Sequence, residues 1–207
     1  MQSLLLELSN NARMFGMRFS PSKCKLLLQD WLTSTPELRI GSEVVERVDN
    51  FTYLGSLISS NELVSDEISA RIQKARSALA NLRHLWRRRD IRLSIKGRVY
   101  CAAVRSVLLY GCETWPLRVE DTRKLLVFDH RCLRNIARIC WDHQVSNSEV
   151  RHRVLGNDDG KSVDEVMNLH QLRWLGHVLR IPEHRLPRRA MLTSVGDAWK
   201  RVRGINA

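Results

Sequence analysis

Residues 65–86 read SDEISARIQKARSALANLRHLW, and this stretch decides the fold class of most of the chain. Its apolar side chains recur every three or four positions, which is the spacing of an amphipathic helix. The apolar stripe consists of Ile68, Ile72, Ala75, Leu79, Leu82 and Trp86. The basic residues off the stripe are Arg71, Lys74, Arg76 and Arg83. Ser65 is expected to cap the start of this helix.

Two further helical segments follow along the chain. Residues 94–110 are apolar nearly all round, which predicts the most buried helix, and Gly111 is expected to end it. Residues 120–139 begin with Glu120 and Asp121, acidic side chains that suit the positive end of a helix. Three antiparallel helices with short links predict a small bundle.

The last part of the chain also favours helices. A short helix is expected over residues 148–155, followed by a polar turn over residues 156–160. The pattern Ser-x-x-Glu at residues 162–165 predicts a capping box that opens a longer helix, and Pro182 is expected to end it. The arginine-rich remainder is expected to be irregular.

The first 60 residues differ from the rest because they contain strand patterns. A helix over residues 3–15 precedes an apolar strand at residues 24–28. Residues 37–48 predict a hairpin whose turn is Gly41-Ser42, and residues 51–58 predict a further strand. The expected fold is therefore mostly α with a small N-terminal α+β part.

The charge of the chain is strongly uneven. The 207 residues contain 34 Lys and Arg against 22 Asp and Glu, a formal net charge of +12. Residues 1–60 hold six residues of each sign, so the whole excess lies after them. Such an excess is typical of proteins that bind polyanions, since each phosphate contact releases counterions. A merely solubilising surface is the alternative that composition leaves open.

The cysteines and the hydropathy of the chain bear on its compartment. Five widely spaced cysteines do not suggest a secreted disulfide framework, and no apolar run reaches the length of a bilayer-spanning helix. We therefore expect an intracellular protein, nuclear or cytoplasmic, with no membrane association.

Four motifs occur in a distinctive order. They are GMRFSPSKCK at residues 16–25, FTYLGS at 51–56, LYGCETW at 109–115 and RWLGHVLR at 173–180. In this order and spacing they resemble the C-terminal portion of reverse transcriptases of non-LTR (LINE-type) retrotransposons. The resemblance implies a partial palm with its primer-grip hairpin at residues 1–60, a helical thumb at 61–145 and a helical C-terminal region with a basic tail at 146–207.

The resemblance also implies an activity for the complete polymerase, RNA-directed DNA synthesis. The family binds Mg²⁺ through palm aspartates upstream of the motifs found here, so this fragment is expected to bind no cofactor itself and to be inactive alone. It would retain binding of an RNA or DNA primer–template and would contact the upstream part of the polymerase. Asp158-Asp159 lies among turn-forming residues and is not expected to bind metal.

Individual site residues follow from the same resemblance. Lys23 would lie near the phosphates of the incoming nucleotide and protonate the leaving group, although it also fits an ordinary surface lysine. Tyr53, Leu54 and Gly55 would position the primer end; an ordinary strand with a glycine bulge is the alternative.

A dense basic stretch joins the first two thumb helices, with Trp86 among its cations. Such a joint suits sequence-independent contact with duplex phosphates. The residues expected to bind nucleic acid there are Arg83, Arg87, Arg88, Arg89, Arg92 and Lys96, with Arg98 beyond them.

Two questions stay open from the sequence. Cys132, Cys140 and His143, with His130 nearby, offer zinc-ligand chemistry, but no paired Cys-x-x-Cys accompanies them and buried helical cysteines are common. His170 and His177, seven positions apart on one helix face, are expected to pack beside Trp174 and not to bind metal. The alternative function is a basic helical nucleic-acid-binding or protein-interaction module without polymerase ancestry.

Overall fold

The computed structural model describes residues 2–28, 37–59, 64–140, 144–156 and 160–192. The chain is mostly helical with small sheets, which confirms the expected fold class. The division at residues 60 and 145 into palm, thumb and C-terminal region stays a prediction. No helix in the described ranges is long and apolar enough to cross a membrane.

The helices form where the sequence shows a 3.6-residue period. Their bounds are α1 (Gln2–Met14), α2 (Val64–Asn81), α3 (Arg83–Arg87), α4 (Leu93–Tyr100), α5 (Ser106–Leu108), α6 (Val119–Ala137), α7 (Asn147–Leu155), α8 (Val163–Arg180) and α9 (Leu186–Leu192). A π-helical turn at Cys101–Arg105 joins α4 to α5, so the helix expected over residues 94–110 is one continuous rod with a wider turn in its middle.

The strands are short and pair in twos. β1 (Lys25–Leu26) pairs in parallel with β4 (Glu46–Arg47). The other two pairs are antiparallel hairpins: β2 (Arg39–Ile40) with β3 (Glu43–Val44), and β5 (Asn50–Tyr53) with β6 (Ser56–Ser59). The Gly41-Ser42 turn is confirmed. Only two residues of the strand expected at 24–28 are in a strand.

The stretch predicted as one strand at residues 51–58 is a hairpin. Its two-residue turn, Leu54-Gly55, has positive φ at both positions, 48° and 85°. Such a turn matches the right-handed twist of the flanking strands, and the glycine adopts it without steric cost. The role of this hairpin as a primer grip stays a prediction.

The main hydrophobic core lies among α2 and the helices from α4 to α8. Its members include Ile68, Tyr100, Leu108, Leu125 and Leu133, all fully buried. The N-terminal elements contribute little to this core. α1 has no buried residue, and Leu4, Met14 and Phe15 on or beside it are exposed.

A close approach between α4 and α7 depends on one glycine. A Cβ atom placed on Gly97 would lie 2.0 Å from the carbonyl oxygen of Val154. Since a backbone oxygen cannot rotate away, only glycine lets the two helices meet at this distance.

A buried polar network fixes the centre of the bundle. Asp129 on α6 is fully buried and accepts hydrogen bonds from the Tyr100 hydroxyl at 2.7 Å and from Arg105 Nη2 at 3.2 Å. Arg105 Nη2 also donates to the Lys161 carbonyl oxygen at 3.0 Å, which ties the bundle to the residues just before α8. Burial, followed by the nearby Asp129 charge, holds the pKa of Tyr100 well above its usual value.

Several local expectations are corrected by the structure. Ser65 lies inside the first turn of α2 and is not its cap, and Trp86 belongs to a separate helix, α3. The segment 94–110 buries Tyr100, Val104 and Leu108 as expected, and it also buries Lys96 and Arg105.

The C-terminal part also differs in one respect. The stretch after Pro182, expected to be irregular, contains the helix α9. The capping-box pair is present as a hydrogen bond from the Ser162 backbone N–H to Glu165 Oε2 at 2.8 Å. The predicted capping box is thus present at Ser162 and Glu165, and the Ser162 hydroxyl also donates to Asp164. Asp158-Asp159 and residues 193–207 lie outside the described ranges.

Candidate nucleic-acid interface

The turn of the β5–β6 hairpin is fastened to α2 and to the turn that follows α5. The Tyr110 hydroxyl donates to the Leu54 carbonyl oxygen at 2.9 Å. The Gly55 carbonyl oxygen accepts from Arg71 Nη2 at 2.8 Å and from Lys74 Nζ at 3.0 Å, both on α2. The three residues expected to position a primer end, Tyr53, Leu54 and Gly55, are therefore held at a fixed place while they stay exposed.

A buried ion pair supports this clamp. Arg71 Nε lies 2.7 Å from Glu67 Oε1, and both side chains are less than a tenth exposed. The Arg71 guanidinium also lies 4.5 Å from the centroid of the Tyr110 ring, a cation–π distance. Glu67 accepts in addition from the Leu57 backbone N–H. Arg71 is thus an internal structural residue, because Glu67 one helical turn away neutralises its charge.

Two of the sequence motifs meet at this clamp. Gly111, in the motif at residues 109–115, has a φ of 78°, and a Cβ on it would lie 3.3 Å from Ser56 Oγ in the motif at 51–56. A Cβ on Gly55 would lie 3.7 Å from the Tyr110 ring. Both glycines are needed chiefly for their positive φ. The structure therefore brings together two motifs that are far apart in the sequence.

A cavity of about 1050 Å³ opens beside the hairpin turn. The hairpin lines one side through Tyr53 and Leu54, and α8 lines another through His170 and Arg173. The π-helical turn Cys101–Arg105 borders it as well, and such turns occur often at functional sites. Lys23 is exposed at the end of a 3₁₀ turn, Pro21–Lys23, and is not among the residues that line this cavity.

The basic joint between α3 and α4 is mostly as exposed as the sequence suggested. Arg83, Arg87, Arg89 and Arg92 are exposed. Arg88 is exposed too, but its guanidinium binds Asp90, with Nη2 at 2.6 Å from Oδ2. Pairing with Asp90 leaves Arg88 less available to a phosphate than its neighbours.

Lys96 requires a correction, since it is buried within this joint. Its ammonium donates to the carbonyl oxygens of Trp86 and Arg88 at the C-terminal end of α3. A cation at this position satisfies carbonyls that have no partner within the helix. Burial and then the charge of Arg138 lower the pKa of Lys96. Lys96 is therefore a structural residue of the joint and does not face a ligand.

A groove of about 610 Å³ gathers arginines from three parts of the fold. Arg76 comes from α2, Arg83 and Arg87 from α3, and Arg138 from the end of α6. Within the described ranges the ion pairs do not include Arg76, Arg83 or Arg87. We call these four arginines the arginine groove. Its floor is apolar and includes Leu79 and Trp86.

Sequence reasoning missed half of this groove. Arg76 lies seven positions before Arg83, a helical repeat that indicates a shared face. Arg138 has no such signal, because it reaches the groove through tertiary packing. It has a left-handed φ of 56°, and its Nη2 donates to the Arg87 carbonyl oxygen.

The residues considered for zinc differ in burial, and one of them lies outside the described ranges. Cys132 is buried, and burial followed by the Asp129 charge raises its pKa to about 12. Cys140 is exposed, and His143 lies outside the described ranges. His170 contacts Glu113 at 3.4 Å. With Cys112 these two residues bring their ligand atoms within 4.8 Å of one another.

No family model matches the chain, and no match was found among the curated proteins or the solved structures.

Proposed function

We propose that this chain is the C-terminal part of a non-LTR retrotransposon reverse transcriptase and that it holds an RNA or DNA primer–template duplex by its phosphates. RNA-directed DNA synthesis would belong to the complete polymerase, whose Mg²⁺ ions are bound upstream of the motifs in this chain. The fragment itself would bind nucleic acid without sequence preference and would carry out no polymerisation.

The arginine groove is the observation that carries this proposal. Arg76, Arg83 and Arg87 are exposed, close together and not engaged with carboxylates among the described residues. Guanidinium groups bind phosphate oxygens through bidentate hydrogen bonds, and such contacts do not depend on the nucleic-acid sequence. An arginine cluster with no carboxylate partner among the described residues therefore favours a polyanion as its ligand.

The clamped hairpin supports the second half of the proposal, that a primer end is positioned. Tyr110, Arg71 and Lys74 fix the backbone of the turn, so the exposed ring of Tyr53 projects from a rigid base. The adjoining cavity adds cations, Lys161 and Arg173, to its largely apolar lining. Aromatic and cationic groups together suit a nucleotide, which has both a base and a phosphate.

The exposed apolar side chains of the N-terminal part fit the upstream polymerase as a partner. Met14 and Phe15 are each about four-fifths exposed, and Leu4 is 60% exposed. Burial of such exposed side chains against another apolar surface is favourable. In the complete polymerase we expect the remaining palm strands to pack against these exposed side chains.

The competing function is a basic protein-interaction module without polymerase ancestry. It would not require the arginine groove to bind a polyanion. Binding to nucleic acid therefore separates the two functions, because an interaction module would bind duplexes weakly and without dependence on these arginines.

The experiment uses the purified full chain with labelled primer–template duplexes of unrelated sequence. We expect similar affinity for each duplex, a steep decrease in affinity with salt, and no primer extension when Mg²⁺ and nucleotides are added. Absence of binding at low salt would contradict the proposed grip. Templated incorporation by the pure chain would contradict the claim that the catalytic aspartates lie elsewhere.

A further inference from the structure

Three metal-ligating side chains of different types converge next to the cavity beside the hairpin. Cys112 and Glu113 belong to the 3₁₀ turn Cys112–Thr114 that follows Gly111, and His170 lies in the middle of α8. The Cys112 sulfur, a Glu113 carboxylate oxygen and a His170 ring nitrogen all lie within 4.8 Å of one another.

The separation of His170 and Glu113 is that of a long hydrogen bond, and it also suits two ligands of one ion. His170 Nδ1 lies 3.4 Å from Glu113 Oε1, whereas N–H···O bonds have lengths of about 2.7–3.2 Å. Bond lengths of about 2.0–2.3 Å to a tetrahedral Zn²⁺ place neighbouring ligand atoms roughly 3.3–3.6 Å apart. The imidazole–carboxylate pair therefore already has the spacing of two zinc ligands, and the thiol needs to approach by at most about 1.2 Å.

We propose that Cys112, Glu113 and His170 bind Zn²⁺, with water as the fourth ligand. A thiolate, an imidazole and a carboxylate are the three side-chain types that bind zinc, and the mixture of soft and hard donors disfavours Mg²⁺ and Ca²⁺. When Zn²⁺ binds, the Cys112 thiol loses its proton to solvent, and the thiolate sulfur forms a bond to the ion. The site does not depend on the proposed grip on nucleic acid.

Accessibility favours an open fourth position. Cys112 is fully buried, while the side chains of Glu113 and His170 are 34% and 36% exposed. Both of these residues line the cavity of about 1050 Å³. An ion can therefore enter from the cavity, and a water molecule from the cavity can complete a tetrahedron.

The ion would fasten α8 to the helical bundle. Gln171, next to His170, already donates to the carbonyl oxygens of Cys112 at 3.4 Å and of Trp115 at 3.3 Å. These long hydrogen bonds hold the same two elements that the metal would bridge. Zinc should thus raise the stability of the contact between the C-terminal region and the bundle, since an ion that binds the folded chain selectively stabilises it.

The test is a titration of the metal-stripped full chain with Zn²⁺. Its two readouts are the heat of binding and the midpoint temperature of thermal unfolding. Co²⁺ is a second probe, because a cysteine ligand gives it an intense near-ultraviolet absorption. We expect one ion per chain, a raised midpoint and the cobalt–thiolate band. His170→Gln and Glu113→Gln change partly exposed side chains, so these variants should fold, and each should lower the Zn²⁺ affinity about tenfold or more.

Two variants serve as matched controls. His177→Gln removes an exposed histidine from the same helix, and Cys140→Ser removes an exposed cysteine outside the cluster. Neither should alter Zn²⁺ binding. The proposal is overturned if the wild-type chain binds no Zn²⁺, if binding survives both the His170 and Glu113 substitutions, or if it disappears on replacing Cys140. Cys112→Ser should abolish the cobalt–thiolate band, and the other two variants decide the question if it does not fold.

Discussion

The Tyr110 hydroxyl lies 2.9 Å from the Leu54 carbonyl oxygen, and this hydrogen bond joins two sequence motifs across a separation of 56 residues. It fixes the turn of an exposed hairpin against the helical bundle. Leu54 has a positive φ of 48°, which is unfavourable for a leucine, so the turn needs support from outside the hairpin. Tyr110 provides part of this support, and Arg71 and Lys74 provide the rest through Gly55.

Tyr110→Phe should therefore loosen the hairpin while leaving the aromatic ring in place over Arg71. We expect a decrease of about 0.5–1.5 kcal/mol in the free energy of unfolding, the usual contribution of one hydrogen bond. Hydrogen exchange of the hairpin amides should accelerate. Tyr53→Phe is the control, because the exposed Tyr53 ring stacks on Phe51 within the hairpin and does not fasten it to the bundle. Equal exchange rates in the two variants would argue against the clamp.

Arg71→Met should be strongly destabilising, because it leaves the Glu67 carboxylate buried without its cation. Removing one partner of a buried ion pair costs about 3–5 kcal/mol. Arg153→Met is the matched control: it breaks the Glu149–Arg153 pair, which has the same spacing along a helix but is half-exposed. That change should cost at most about 1 kcal/mol. Chemical denaturation of both variants measures the difference, and similar costs would show that burial of the Glu67–Arg71 pair has no energetic effect.

Gly97→Ala should separate α4 from α7. The new Cβ would lie 2.0 Å from the Val154 carbonyl oxygen, so the helices must move apart at a cost of about 1–3 kcal/mol or more. Gly176→Ala, in the middle of α8, meets only the end of the Arg180 side chain at 3.6 Å. It should be neutral or stabilise the chain by up to about 1 kcal/mol through helix propensity. A tolerated Gly97→Ala would contradict the close packing of α4 on α7.

Cys132 should make the chain sensitive to alkali. Burial raises its pKa to about 12 from 9.0, so the folded chain keeps a proton that the unfolded chain releases. This contribution to stability is complete below pH 9 and disappears as the pH rises towards 12, at about 1.4 kcal/mol per pH unit. The stability difference between the wild type and Cys132→Ala should therefore narrow above pH 9. A constant difference in denaturation experiments up to about pH 11 would contradict the raised pKa of Cys132.

The sequence predicted the turns and helix ends that depend on local interactions. The Gly41-Ser42 turn, the start of α6 at acidic residues and the end of α8 before Pro182 all follow from rules that act over a few positions. Residues 51–58 were predicted as a strand from their apolar content, but the Leu54-Gly55 turn divides them. Only the left-handed conformation of Leu54, supported by distant Tyr110, allows that turn.

The candidate site was less predictable, because charge alone does not show whether a cation faces solvent. Arg71 and Lys96 are buried, one beside a carboxylate and the other at carbonyl oxygens, whereas the exposed arginines beside them look the same in the sequence. Arg138 reaches the arginine groove, and His170 reaches Cys112 and Glu113, through packing of α6 and α8. Neither contact follows from a regular spacing of residues along the chain.

The salt dependence of duplex binding tests the proposed grip most directly. Arg76, Arg83 and Arg87 would be changed together to Gln, and Arg138 retained because it supports the Arg87 carbonyl. A control variant with the same change of charge would replace Arg13, Arg118 and Arg123, which are exposed outside the groove. We expect the slope of log affinity against log salt to become less negative by about 0.9 for each B-form DNA phosphate that the groove variant no longer neutralises. The control should keep the wild-type slope. Identical slopes for the groove variant and the wild type would contradict phosphate binding by the arginine groove.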